Sequence, residues 1–129
     1  MVRVTEKEIE AVSSLAALER YKYFIKRVAD TEMMYSLKSV DGNWAISEVD
    51  NSRLFPLWSA GEFADKCKLS GWSGFMSVEI NMEYFEEELL EFIHLNGMLL
   101  NIFPVGENTG YVVDILEFAK DLNEEMEKY

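Results

Sequence analysis

One histidine, one cysteine and two prolines in 129 residues leave little material for the commoner protein chemistries. The lone Cys67 has no partner for an internal disulfide, so a reducing compartment is the natural setting. No cysteine pair offers a structural zinc site, and the close H-E-x-x-H zinc motif is absent. There is no G-x-S-x-G elbow for a serine nucleophile. A G-x-x-x-x-G-K-[ST] loop and a strand-linked G-x-G-x-x-G, which would cradle nucleotide phosphates, are missing too. Long apolar runs are scarce: the longest, MLLNIFPV from Met98 to Val105, is interrupted by Asn101 and falls far short of a bilayer's thickness. MVRVTEKEIEAV, at the N-terminus, lacks the apolar stretch and cleavage site of a secretory signal. The expected location is the cytoplasm.

Positive charge is the other shortage, and it is unevenly distributed. Residues 1–69 carry 10 basic and 11 acidic side chains, net −1, whereas residues 70–129 carry 2 basic and 13 acidic ones, net −11. A field of that sign repels nucleic acid and anionic membrane within about a Debye length, and it suits a basic protein partner. The chain is 49% hydrophobic and 13% aromatic, enough for a packed core without disulfide or metal. No linker, repeat or low-complexity tract divides it, so residues 1–129 are expected to form a single α+β domain.

Local patterns supply the elements. Thr5-Glu6-Lys7-Glu8 has the form of a capping box, followed by Ile9, Val12, Leu15, Leu18, Tyr21, Ile25 and Val28 at helical spacing. This predicts an amphipathic helix to about Ala29, or two helices divided at Ser13 and Ser14. Arg20, Lys22, Lys26 and Arg27 make its later part basic, the favourable sign near a helix C-terminus. MMYSLKS and WAISEV flank Val40-Asp41-Gly42-Asn43, a hairpin signal, with Trp44 and Ile46 expected on one face and Ala45 on the other. LFPLW contains Pro56, which cannot donate to a β-ladder, so this strand is expected at an edge or bulge. Ser59-Ala60-Gly61-Glu62 reads as a second capping box, before a short helix burying Ala60, Phe63, Ala64 and Cys67. After a Gly/Ser-rich loop and SVEI, Asn81 caps a helix bearing Phe85, Leu89, Phe92 and Ile93 and closed by Gly97. MLLNIFPV and YVVD form a second hairpin, and Asp114 caps a C-terminal helix through Ile115, Phe118, Ala119 and Leu122. The expectation is an α+β fold: a mostly antiparallel sheet of two hairpins plus an edge strand, packed with about four helices.

Few residues are candidates for function. Glu83, Glu87 and Glu91 stand four apart along one helix edge, with Glu86 and Glu88 beside them. Like charges so spaced oppose the helix slightly, so the cluster reads either as a solvated N-terminal face or as a surface for a basic protein. Glu91 and His94 match E-x-x-H, but di-iron sites need that motif twice. No metal, cofactor or catalytic set is therefore expected. Trp72 and Phe75, set among glycines and serines, are either exposed anchors or plugs of the core.

The blocks ERYKYFIKRVAD (Glu19–Asp30), Trp44, LFPLWS-x-x-EFADKC, W-x-x-F and NIFP, in this order, resemble the bacterial domain of unknown function 2750 over about residues 14–122. The resemblance implies a small cytosolic bacterial protein and transfers no catalytic or binding residue. LFPLWSAGEFA and NIFP are also faintly similar to the N-terminal domain of enhancers of type III secretion, which bears on fold alone. The functional expectation is a non-catalytic, acidic protein-binding module, with an immunity-type toxin inhibitor or an adaptor as its concrete form. The alternative is a small enzyme or metal-binding protein using Glu83, Glu87, Glu91 and His94.

Overall fold

The computed structural model describes residues 4–128. The chain is α+β, with five helices and six strands among the described residues. Thr5 caps α1 (Glu6–Ser13), its hydroxyl accepting from the Glu8 N–H, and α2 (Ala17–Thr31) follows after a break at Ser14. The serine pair therefore divides the first amphipathic stretch in two. Glu32 ends α2 in the left-handed conformation, φ 58°, and its N–H donates to the Val28 carbonyl.

Strand β1 (Met33–Lys38) leads into the Asp41-Gly42 turn, but the predicted hairpin stops almost at once. After one bridge between Lys38 and Trp44, and one bond from the Ala45 N–H to the Leu37 carbonyl, the returning chain leaves β1. Burial explains the departure. Ala45 is completely buried while Trp44 and Ile46, on the opposite face, are only half-buried. Lys38 covers the exposed side of Trp44, its Nζ 4.3 Å from the ring centroid. Strand β2 (Ser47–Val49) then folds back on β3 (Ser52–Leu57) through Asp50-Asn51, both left-handed with φ 51° and 68°. That is the two-residue geometry hairpins favour, and the sequence reading passed it over.

Strand β3 corrects the edge expectation for Pro56. It lies inside a four-stranded sheet of order β2-β3-β5-β6, antiparallel except for the parallel β3–β5 pair. Strand β2 covers β3 only as far as Leu54, and Trp58, just past the strand, exchanges backbone bonds with Tyr35 of β1. Pro56 sits in the interval between these partners. Its carbonyl accepts from the buried Ser36 hydroxyl at 2.6 Å, and its missing N–H falls where no ladder bond is required. Strand β1 in turn pairs with β4 (Met76–Asn81), so SVEI is a strand in its own right as well as the lead-in to the Asn81 cap.

Helix α3 (Gly61–Cys67) has Ala60 at its N-cap with no side-chain bond, so the second capping box does not form. The Ser59 hydroxyl is instead buried, without a partner among the described residues. Phe63, Ala64 and Cys67 face the core as expected, and Leu54, Phe55, Leu57 and Trp58 are all buried. The aromatic stretch is thus core. Helix α4 is one continuous run in three parts: an α-turn at Met82–Tyr84, a π-helical turn at Phe85–Leu89 and an α-segment at Leu90–Leu95. Asn81 caps it by accepting from the Tyr84 N–H. At its end Gly97 (φ 63°) donates to the His94 carbonyl and Met98 to that of Ile93, a Schellman closure. Strands β5 (Leu99–Ile102) and β6 (Tyr111–Val113) form the second predicted hairpin, and Asp114 caps α5 (Ile115–Met126). Among the described residues no helix is long and apolar enough to cross a membrane.

The sheet face bearing Phe55, Leu57, Leu100, Ile102 and Val113 enters the main core with Phe24 and Val28 of α2 and Phe118 of α5. Arg20, only 6% exposed, reaches through this core, and its Nε donates to the carbonyl of Phe103, held at φ 61°. Gly110 closes the β5–β6 loop so tightly that a Cβ would lie 2.1 Å from the Ile102 carbonyl oxygen. Gly110→Ala should therefore cost about 2–3 kcal/mol, read as a lowered denaturant midpoint at unchanged m-value.

Candidate functional site

Helix α4 owes its surface to its π-turn. In a regular helix, residues four apart drift around the axis by about 40° per step, because 3.6 residues complete a turn. A wider π-turn reduces that drift. Phe85, Leu89 and Ile93, four apart, can thus all face the core, and they are 2%, 1% and 0% exposed. The same phase lines Glu83, Glu87 and Glu91 along the outer side, where they are exposed with Glu86 and Glu88. Phe92, expected in the buried stripe, is instead 38% exposed.

None of these five glutamates forms an ion pair among the described residues. The three pairs present there, Lys22–Glu19, Lys66–Glu6 and Lys128–Glu125, lie elsewhere. His94 is exposed and does not join the glutamates. It lines an open groove with Asp114, Leu116, Glu117 and Lys120 of the following cap and helix, over a floor of Met98, Leu99 and Ile115. At this groove Leu116 is 69% exposed, and Leu95, on the last turn of α4, is 72% exposed. Among the described residues, no three His, Cys, Asp or Glu side chains converge so as to hold a metal ion.

The two loop aromatics part company. Trp72 is 7% exposed, whereas Phe75 is half-buried, their ring centroids 6.5 Å apart. Trp72 belongs to a short 3-10 turn, Ser70–Trp72, pinned by Glu107, whose carboxylate accepts from both the N–H and the hydroxyl of Ser70. These two bonds hold the Glu107 carboxyl below its ordinary value.

With the side chains placed, the sequence finds its relatives. It matches, over residues 21–122, the family described as "Protein of unknown function (DUF2750)". The chain belongs to that family. No curated protein matches it. Family membership accounts for most of the length and leaves the chemistry to be argued from the side chains.

Cys67, Tyr21 and Tyr23, whose titrations are displaced, sit away from the acidic helix. Cys67 is 3% exposed and 3.5 Å from the Ser13 hydroxyl; burial pushes its thiol up, away from the reactive thiolate. Tyr21 donates to Asp121 at 2.6 Å and stacks on Tyr111 at 4.5 Å, and burial, then that hydrogen bond, raise its phenol far above the usual range. Tyr23, donating to Glu8, is raised for the same reasons. The sequence reading missed the Tyr21–Asp121 pair because its members lie on helices far apart in the chain.

These shifts carry a sign. A phenol raised in the fold stabilises it fully below the unfolded value near pH 10, and that contribution is lost as pH climbs toward the folded value. In an alkaline spectrophotometric titration, Tyr21 and Tyr23 should ionise only as the fold is lost, and Tyr21→Phe should remove one phenol from that late phase. A thiol reagent at neutral pH should modify Cys67 only in the denatured protein.

Proposed function

We propose that this protein is a non-catalytic binding module whose partner is a basic protein, engaged through the outer face of α4 and the groove beside it. The observation that carries this reading is the coincidence of two surface features. Glu83, Glu86, Glu87, Glu88 and Glu91 are exposed and unpaired among the described residues, and large apolar side chains are exposed farther along, Leu95 on the last turn of the same helix and Leu116 in the groove that His94 lines. Acids alone would be compatible with simple solubility. Large apolar side chains held in water supply what an interface needs at its centre, and the acids supply a rim that steers a cationic partner.

Repulsion within the glutamate row also costs the helix about 0.2–0.5 kcal/mol per pair, which a bound cationic surface would relieve. The finer reading is an immunity-type inhibitor of a basic toxin, or an adaptor, working in the cytoplasm. Charge-steered capture suits an inhibitor that must reach its target quickly.

Paired affinity captures from the native host test the proposal, using wild type, Glu83→Gln/Glu87→Gln/Glu91→Gln and Leu116→Ser as baits. A basic protein should be retained by wild type at low salt, released at high salt, and reduced at least about tenfold on either variant. The triple variant should melt slightly higher than wild type at low ionic strength. Identical captures on all three baits would rule out this face as the interface.

A further inference from the structure

The sheet's second face carries a different site. Ser47 of β2 and Asn101 of β5 lie on the side that turns away from the main core, alongside Leu54 and Pro56. The Ser70–Trp72 turn and residues of the 103–110 loop cover them, enclosing a cavity of about 170 Å³. Its walls include Trp72, Leu69, Val49 and Pro104, with Glu48 and Glu107 among the lining residues. By liquid-water volume this is room for about five or six water molecules, or for one small flat molecule.

Two polar groups line it without a hydrogen bond of their own among the described residues. Asn101 is 4% exposed; its Oδ1 accepts from the Gly110 N–H at 2.7 Å, which fixes the amide's orientation, and its –NH2 finds no partner among the described residues. The Ser47 hydroxyl is buried and likewise without a partner there. A buried polar group left unpaired is costly, so the Ser47 hydroxyl, set in one cavity with the Asn101 –NH2, points to an occupant.

The chemistry of that occupant follows from the donors. An –NH2 whose own oxygen is already committed, beside a hydroxyl, asks for an acceptor. An anionic acceptor is opposed by the carboxylate of Glu107, an exposed lining residue. A cation would face the Asn101 donors. A neutral group that accepts inward and donates outward satisfies every side, and the Trp72 ring offers a flat wall to stack on.

We propose that this cavity binds a primary carboxamide, its oxygen accepting from Asn101 and Ser47, its N–H groups turned toward Glu107, and its apolar body against Trp72. The proposal stands independently of the acidic helix. The carboxamide can come from a free small molecule or from a glutamine side chain of another protein, and both sources share this chemistry.

Titrating the isotope-labelled protein with benzamide, benzoate and N-acetylglutamine N-methylamide separates the outcomes. The carboxamides should shift the Asn101 side-chain –NH2 and the Trp72 indole N–H signals, and benzoate should bind at least about tenfold more weakly. Tighter binding of benzamide assigns the site to a small aromatic amide, and tighter binding of the glutamine compound to a protein side chain. Asn101→Asp keeps the acceptor for Gly110 while losing the donors, and Ser47→Ala removes the second contact on an edge strand. Each should weaken carboxamide binding by about tenfold while leaving the melt cooperative. Benzoate binding as well as benzamide, binding unchanged in both variants, no shift at millimolar probe, or a soaked crystal holding only ordered water in the cavity would each overturn the assignment.

Discussion

Strand β3 changes partners along one edge, from β2 before Pro56 to β1 after it, and the rest of the architecture depends on that change. A residue with an N–H at this position would present a buried donor to an interval that holds none of the ladder's acceptors; proline presents none. The carbonyl that remains is taken by the buried Ser36 hydroxyl of β1, which also ties the two-stranded β1–β4 sheet to the four-stranded one. Trp58 completes the joint. Its backbone exchanges bonds with Tyr35 on one side, and its indole N–H donates to the Pro104 carbonyl at 3.0 Å on the other. On the core side Phe63 packs edge-on against Phe103, centroids 4.7 Å apart, and Arg20 holds the Phe103 carbonyl. A guanidinium in so dry a place has its pKa lowered by desolvation, and backbone carbonyls rather than a carboxylate compensate it.

This joint leaves the sheet with two unlike faces. One is packed by α2 and α5 and is closed, with Phe24, Phe118 and Phe85 in successive ring contacts of 5.9 and 5.7 Å. The other is roofed only by a short turn and a loop. The turn is held by Glu107, and the loop is drawn in by Gly110 and by the bond from the Gly106 N–H to the Cys67 carbonyl. Loops on a rigid scaffold commonly carry binding residues, because the scaffold positions them without having to move. The Asn101 –NH2 and the Ser47 hydroxyl lie where such a scaffold meets its loops. The acidic row of α4 occupies a separate part of the surface, so the two proposals draw on different parts of the fold.

Much of this was legible beforehand, for local reasons. The caps at Thr5, Asn81 and Asp114, the Gly97 closure and the β5–β6 hairpin all depend on residues within a few positions of one another. The errors share the opposite cause. The Asp41-Gly42 turn formed, yet its hairpin did not continue, because Ala45 was claimed by the core and Trp58 took the Tyr35 backbone on the same edge of β1. Pro56 was expected at an edge because a proline within a sheet needs a change of partner that only distant strands provide. The Ser59 capping box failed with Ala60 as the N-cap and the serine turned inward. At the candidate sites, the glutamate row was visible as spacing, whereas Asn101 was noticed only as an interruption in an apolar run.

Taken alone, the order of residues determined the α+β class, most helix boundaries, the uneven charge and the family, since each rests on periodicity, capping or composition, which act over short stretches of chain. Strand order, the parallel β3–β5 pair, the burial of Trp72 and the meeting of Ser47 with Asn101 were decided by the tertiary structure. Each of these joins segments tens of residues apart, and the energy that selects them, burial of apolar surface and pairing of backbone groups, exists only once the whole chain has closed on itself.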